Sequence, residues 1–234
     1  MSIVVRTLSE QIFNIVREQI VTGKLPVEQA IRQDALANEL GVSKIPLREA
    51  LARLEQEGLL VSQANRGFFV RAMSAGEAEE IFALRLSIEP EAVAAAARAA
   101  DETAQEAARA ALVALDEAAH AHLDFVAARN RDFHMALVRP GGRVLTSQLV
   151  ERLQILSERY VFKHLEPAGR EDRAHLEHAV LLEAWLARDE ARAKQLAAEH
   201  IGGTLADLRR QLGAGDGQPP VVVAEGSKAL RGRL

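Results

Sequence analysis

The chain contains no cysteine. That excludes disulfides and thiolate chemistry, and leaves histidine, asparagine, aspartate and glutamate to hold any metal. Aromatic residues are scarce, at 4% of the sequence, while 48% is hydrophobic and alanine is prominent. This balance favours helices over sheets. No run is long and apolar enough to span a membrane. The N-terminus lacks a signal-peptide pattern, so the expected location is the cytoplasm. A strong excess of positive charge is also missing: the formal net charge of the 234 residues is −4. The charge is uneven, however. Residues 1–72 carry 9 Lys/Arg against 8 Asp/Glu, and the rest carry 20 against 25. Binding DNA requires a basic face rather than a basic total. Lys24, Lys44, Arg48, Arg53 and Arg66 can supply one.

Residues 34–71, DALANELGVSKIPLREALARLEQEGLLVSQANRGFFVR, read as helix, tight turn, helix and two-stranded ribbon. Ala35, Leu36 and Leu40 give the first helix an apolar face, and Gly41 ends it. Ser43 is placed to cap the next helix with its side-chain oxygen. There Leu47, Ala50, Leu51 and Leu54 recur at three- and four-residue spacing, so one face is buried. Lys44, Arg48 and Arg53 fall off that stripe. Gly58 stops the helix. Leu59–Gln63 and 68–71 are strand candidates joined by a turn that carries Arg66. Together these predict a winged helix-turn-helix whose second helix enters a DNA major groove.

Elsewhere the pattern is helical. Leu8, Ile12, Ile15, Val16 and Ile20 form a stripe on a helix closed by Gly23, followed by an irregular or short extended connector over residues 24–32. Six further helices are predicted, over 76–99, 102–120, 122–138, 143–164, 171–187 and 189–211. Pro90 is expected to kink or split the first of them. The short connections imply antiparallel neighbours. The predicted fold class is therefore mainly α, a winged helix-turn-helix followed by an all-helical antiparallel bundle. The corresponding division is residues 1–72, a hinge, 76–212, and a tail over 213–234.

LANELGVSKIPLREALARLEQEGLL, followed by a wing ending in RGFFV, resembles the N-terminal domain of GntR-family bacterial transcription regulators, across residues 8–71. Lys44 and Ile45 depart from it: Arg and a small residue are usual there, and Lys lacks Arg's bidentate fork. Arg32 stands where a Ser or Thr cap is common. The resemblance implies a dimer that binds a near-palindromic double-stranded operator through Ser43, Lys44, Ile45, Arg48, Arg53 and Arg66.

In the second half, Asn130 and His134 are four apart and share a helix face. His178 and His200 lie on the last two predicted helices beside apolar stripes. Spacing alone leaves two readings open, ordinary core or boundary histidines and a metal site in the bundle interior. Residues 76–211 resemble the all-helical effector domain of the FadR subfamily, called FCD. Six helices there are similar to the VanR-like group. NRDFH and the 22-residue interval from His178 to His200 match its metal-ligand pattern, with Asn130 where Asp is commoner. The resemblance thus implies metal ligands at Asn130, His134, His178 and His200. It would hold a divalent ion, zinc first, with nickel or manganese as alternatives. Because all four ligands are neutral, the ion would keep its formal charge and favour an anionic partner, expected to be a small carboxylate effector. Arg85, four before Glu89, reads equally as an effector-carboxylate anchor and as a buried ion pair. His175 is a second candidate effector contact, with a solvent-facing role as the alternative. His120, His122 and His164 read as surface residues. The leading function is a metabolite-responsive DNA-binding regulator, expected to be a repressor. The alternatives are a metal-responsive regulator and a metal-dependent hydrolase.

Overall fold

The computed structural model describes residues 7–120, 125–165 and 170–213. The chain begins with α1 (Leu8–Val21), α2 (Gln33–Glu39) and α3 (Lys44–Gln56). The wing strands β1 (Leu60–Gln63) and β2 (Gly67–Val70) follow. Thr7 caps α1, its hydroxyl accepting from the Glu10 backbone N–H at 3.2 Å. Gly41 and Gly58, at φ +65° and +80°, end α2 and α3 in the left-handed conformation that glycine adopts without a Cβ clash. Ile12, Val16 and Ile20 of α1 pack on Leu47, Leu51 and Leu54 of α3 to form the core of this winged unit. Each fully buried Leu contributes about 1.5–3 kcal/mol relative to exposure.

The ribbon is antiparallel, with Leu60 opposite Val70 and Gln63 opposite Gly67. Asn65, at φ +62°, makes its turn. The connector over residues 24–32 takes the short extended form, the second of the two that the sequence allowed. Val27 and Ala30 form isolated bridges to Val70 and Phe69, and the Ile31 N–H donates to the Phe68 carbonyl at 2.8 Å. One further correction concerns Ser43. It stands at the α3 N-cap in extended backbone, yet its side chain makes no capping bond. Arg32 likewise gives α2 no side-chain cap.

Six α-helices make up the second unit among the described residues: α4 (Ala75–Ala99), α5 (Glu102–His120), α6 (Val126–Val138), α7 (Val144–Leu165), α8 (Arg170–Leu186) and α9 (Glu190–Gly213). A short 3-10 turn at Arg139–Gly141 links α6 to α7. Helix α6 starts at Val126 rather than 122, after Phe125 in the left-handed conformation; residues 121–124, including His122, lie outside the described part. The expected tail beyond residue 213 lies outside it too.

Pro90 does not split α4, which runs unbroken through it. An interior proline forfeits a backbone bond and costs about 3 kcal/mol in an isolated helix. Here Pro90 is buried and α4 is flanked by α9, α7 and α6, so packing along the whole helix offsets that loss. The interior is alanine-rich along α4, where Ala92, Ala96 and Ala97 meet Phe133, Leu137 and Trp185. The Trp185 indole N–H donates to the Leu137 carbonyl at 3.1 Å, tying α8 to α6.

Candidate metal centre and nucleic-acid interface

Three helices direct imidazoles at one point. His134 comes from α6, His178 from α8 and His200 from α9, and one nitrogen from each lies within 4.8 Å of the others. The i, i+4 spacing of Asn130 and His134 brings both onto the inner face of α6, and both are buried. These four residues line a cleft together with Arg85, Val161, Arg173, Ala174, Glu177 and Thr204; it holds about 380 Å³ of open space, counting its mouth. The sequence-derived ligand set is thus gathered at one site.

Two carboxylates orient the imidazoles. Glu89 Oε1 lies 3.1 Å from His134 Nδ1, and Glu177 Oε2 lies 2.8 Å from His200 Nδ1. An ionised carboxylate only accepts, so Nδ1 carries the proton in each ring and the Nε2 lone pair faces inward. His134 Nε2 is buried with no hydrogen-bond partner. The Nε2 atoms of His178 and His200 are 3.3 Å apart, so at most one of them is protonated. Carboxylates that hold a ring by its far nitrogen are the usual supports of a metal-ligating histidine. The orphaned nitrogen and this donor set fit a borderline divalent ion.

Electrostatics agree. Burial pushes the His134 imidazole down to about 4, despite its bond to Glu89. His178 is held well below the ordinary value by burial and by its neighbours His200 and His134. Burial would raise Glu89, but the Arg85 charge and the contact with His134 carry it well below the usual carboxylate range. The cleft therefore keeps two imidazoles neutral, with lone pairs available for coordination.

Arg85 is buried. Its Nε and Nη2 donate to Glu89 at 2.9 and 3.3 Å, and Nη1 donates to Ser157 at 3.1 Å. The ion-pair reading is therefore realised, and the pair also holds the carboxylate that orients His134. Arg85 still lines the cleft, and three of its five N–H donors are engaged. His175 is not brought into the cleft; its Nδ1 lies 2.7 Å from Asp116 on α5 and its side chain is largely exposed. His120 is exposed nearby. Sequence reading missed Glu177, Arg173 and Thr204. Glu177 precedes His178 but serves His200 on the next helix, which no local spacing reveals. Thr204, four residues after His200, was the one with a readable signal.

On the winged unit, Ser43, Lys44, Ile45, Arg48, Arg53 and Arg66 are all exposed. Ser43, Lys44, Ile45 and Arg48 cluster at the start of α3, and Ile45 is 72% exposed. Lys44 is ion-paired with Asp34 of α2. Arg53, in the last turn of α3, stacks over the Phe13 ring of α1, 4.4 Å from its centroid. Arg66 sits at the wing tip over Phe69.

A winged helix-turn-helix joined to a helical unit that carries a buried histidine cluster points to a DNA-binding transcription regulator. Comparison with known proteins identifies the branch. Residues 8–70 match the family of bacterial regulatory proteins called gntR, and residues 80–203 match the FCD domain. The uncharacterised HTH-type transcriptional regulator BphR of Paraburkholderia xenovorans is 31% identical over 217 residues, 88% of this chain and 87% of BphR. The HTH-type transcriptional repressor GlaR of Escherichia coli is 34% identical over 195 residues, 79% of this chain and 88% of GlaR. Among solved structures, E. coli McbR/YncC matches with a TM-score of 0.74 at 23% identity, covering 88% of this chain and 99% of that one. The chain belongs to the GntR family of transcription regulators, in the group that carries an FCD domain. Members of this family are regulators rather than enzymes. No helix among the described residues is long and apolar enough to cross a membrane.

Proposed function

We propose that this regulator is a cytoplasmic, metabolite-responsive repressor that binds a near-palindromic operator as a homodimer. Its division of labour follows residues 1–72 for DNA and 76–212 for effector and pairing. The single observation that carries the sensing half is the inward-facing, unpartnered His134 Nε2 beside His178 and His200. Asn130, His134, His178 and His200 would hold a divalent ion, zinc first. When bound, such an ion supplies Lewis-acid positions for the oxygen of a small carboxylate. The neutral ligands leave its charge uncancelled, which favours an anion. Two unused N–H donors of Arg85 are available for the carboxylate's other oxygen. The six α-helices of the second unit support a place in the VanR-like group.

On the DNA side, Lys44 and Arg48 reach bases or phosphates, Ser43 a phosphate, Ile45 a thymine methyl or sugar, and Arg66 the backbone or minor groove. Arg53 serves as a backbone contact at the rim of the interface. Pairing of two copies matches the twofold symmetry of such operators. Exposed Val144, Leu145 and Leu149 on α7 give a second copy an apolar face to cover.

A duplex selected by the protein from a random-sequence pool tests the two-part reading. Arg48→Ala should abolish binding to that duplex and leave zinc affinity unchanged. His178→Ala should weaken zinc and leave metal-free duplex binding intact. Equal loss of duplex binding in both variants defeats the division of labour. Carboxylate titration of the zinc-loaded protein tests the effector class, and a site indifferent to anions rules it out.

A further inference from the structure

Five consecutive residues of α7, from Ser157 to Val161, are all buried, and four of them are polar. A core-only segment would be apolar, because burying polar groups costs free energy unless each is paired. Here each polar group is paired with a residue outside α7. Ser157 Oγ accepts from Arg85, which lines the cleft. Glu158 is ion-paired with Arg17 of α1 at 2.8 Å and bonded to Arg131 of α6, next to Asn130. Arg159 donates to the carbonyl of Arg71, the residue that follows β2. Tyr160 Oη donates to Glu77 Oε2 at 2.9 Å and accepts from the Ser74 N–H at 3.2 Å, where the link between the units enters α4. Val161 again lines the cleft.

Five residues make about one and a half turns of helix. The segment therefore begins at Ser157, which holds the cleft-lining Arg85, and ends at Val161 in the cleft wall, and in between it holds α1, the end of the wing and the link between the units. A second hold lies beside it. The Phe125 backbone N–H, at the start of α6, donates to Glu18 of α1 at 2.8 Å. Arg17 and Glu18 thus bind the winged unit to α7 and α6, the two helices that bring Val161 and Asn130 to the site.

We infer that Ser157–Val161 is the coupling segment, which transmits occupancy of the cleft into the orientation of the winged unit. This rests on the reading that the cleft binds a ligand. Packed interiors transmit displacement rather than absorb it. A ligand that draws in Asn130, Arg85 or Val161 shifts the same helical turns that hold Arg17, Arg71 and Ser74. It biases the winged unit only to the extent that it favours one placement over another.

The absence of cysteine makes the test direct. Gln63→Cys on the wing and Glu106→Cys on α5, both exposed positions, accept a pair of spin labels. Electron–electron resonance distances are then recorded on the full chain, metal-free and with zinc chloride, and calorimetry measures zinc affinity. In the labelled parent, zinc should shift or narrow the distance distribution. Adding Glu158→Gln and Tyr160→Phe should widen the metal-free distribution and abolish the zinc response, with zinc still bound. Tyr160→Phe alone, which removes one hydroxyl, should give the same change in smaller degree if the double variant does not fold. The inference is overturned if zinc binds the parent without moving the distribution, or if the variants respond as the parent does. If zinc does not bind the parent, the metal reading has failed by itself. The metal-free comparison then decides the coupling segment: a wider distribution in the variants supports it, and an unchanged one overturns it.

Discussion

Glu89 Oε1 lies 3.1 Å from His134 Nδ1 and also accepts from Gln154 at 2.7 Å. Arg85 binds the same carboxylate. The ring of His134 is therefore fixed by a group that two other side chains, Arg85 and Gln154, hold in place. The support of His200 differs. Glu177 is partly exposed and shares its carboxylate with Arg173, whose Nε lies 3.2 Å away. The two rings should respond differently to loss of their supports.

Removing the charge of Glu177 is the milder change. Glu177→Gln keeps the side-chain shape but weakens the hold on His200 Nδ1. The expected outcome is about 10–100-fold weaker zinc binding with little change in thermal stability. Zinc titration by calorimetry, with a melting curve of the metal-free protein, checks both parts. An unchanged zinc affinity would show that the Glu177 charge does not support a zinc ligand. Glu89→Gln should cost stability as well, because it leaves the buried Arg85 without its counter-charge.

The buried histidines predict a pH dependence. In the unfolded chain His134 titrates near its ordinary value of 6.5, whereas burial holds it at about 4 in the fold. Between those values the unfolded state binds more protons, so stability rises with pH. The contribution is fully present above about 6.5 and is lost as pH falls through about 4. His178 acts in the same direction. Glu158 opposes them, since burial raises it to about 6 against the pull of Arg17 and Arg131, so its contribution fades as pH climbs through that value. Comparing His134→Gln with the parent cancels the Glu158 effect. The metal-free parent should lose on the order of 1–3 kcal/mol more than the variant between pH 7 and pH 4. Denaturant melts in the presence of a chelator measure it, and parallel curves would contradict the buried neutral imidazole.

The helices were legible because alanine and leucine periodicity, broken by proline and glycine, is a local signal. The grouping of Asn130, His134, His178 and His200 is legible from the resemblance to the FCD pattern; the i, i+4 pair and the two histidines beside apolar stripes by themselves leave ordinary core histidines open. What could not be read depends on partners from other helices. His175 and His178 are three apart, yet α5 presents Asp116 to one and the cleft receives the other. Pro90 was expected to kink or split α4 because its cost is local, whereas the packing that keeps the helix continuous comes from α6, α7 and α9. The polar run Ser157–Tyr160 showed no pattern at all. Its partners lie on α4, α1, α6 and the stretch after the wing, at separations from 27 to 141 residues.

The last prediction concerns Lys44, which the winged unit holds in an ion pair with Asp34 although both side chains are mostly exposed. An exposed pair of this kind is worth about 0–1 kcal/mol, so DNA can displace it at small cost. Asp34 nevertheless leaves a negative charge beside the residue proposed to approach phosphate. Asp34→Asn should therefore tighten binding to a random-sequence duplex by about two- to fivefold at low salt, which is the size of one such pair. The gain should shrink as salt rises, because phosphate contacts act through counterion release. Fluorescence anisotropy across a salt series measures both quantities, and Lys44→Ala in the Asp34→Asn background supplies the control. If that second change costs no affinity, Lys44 does not touch DNA, and recognition at the start of α3 falls to Ile45 and Arg48.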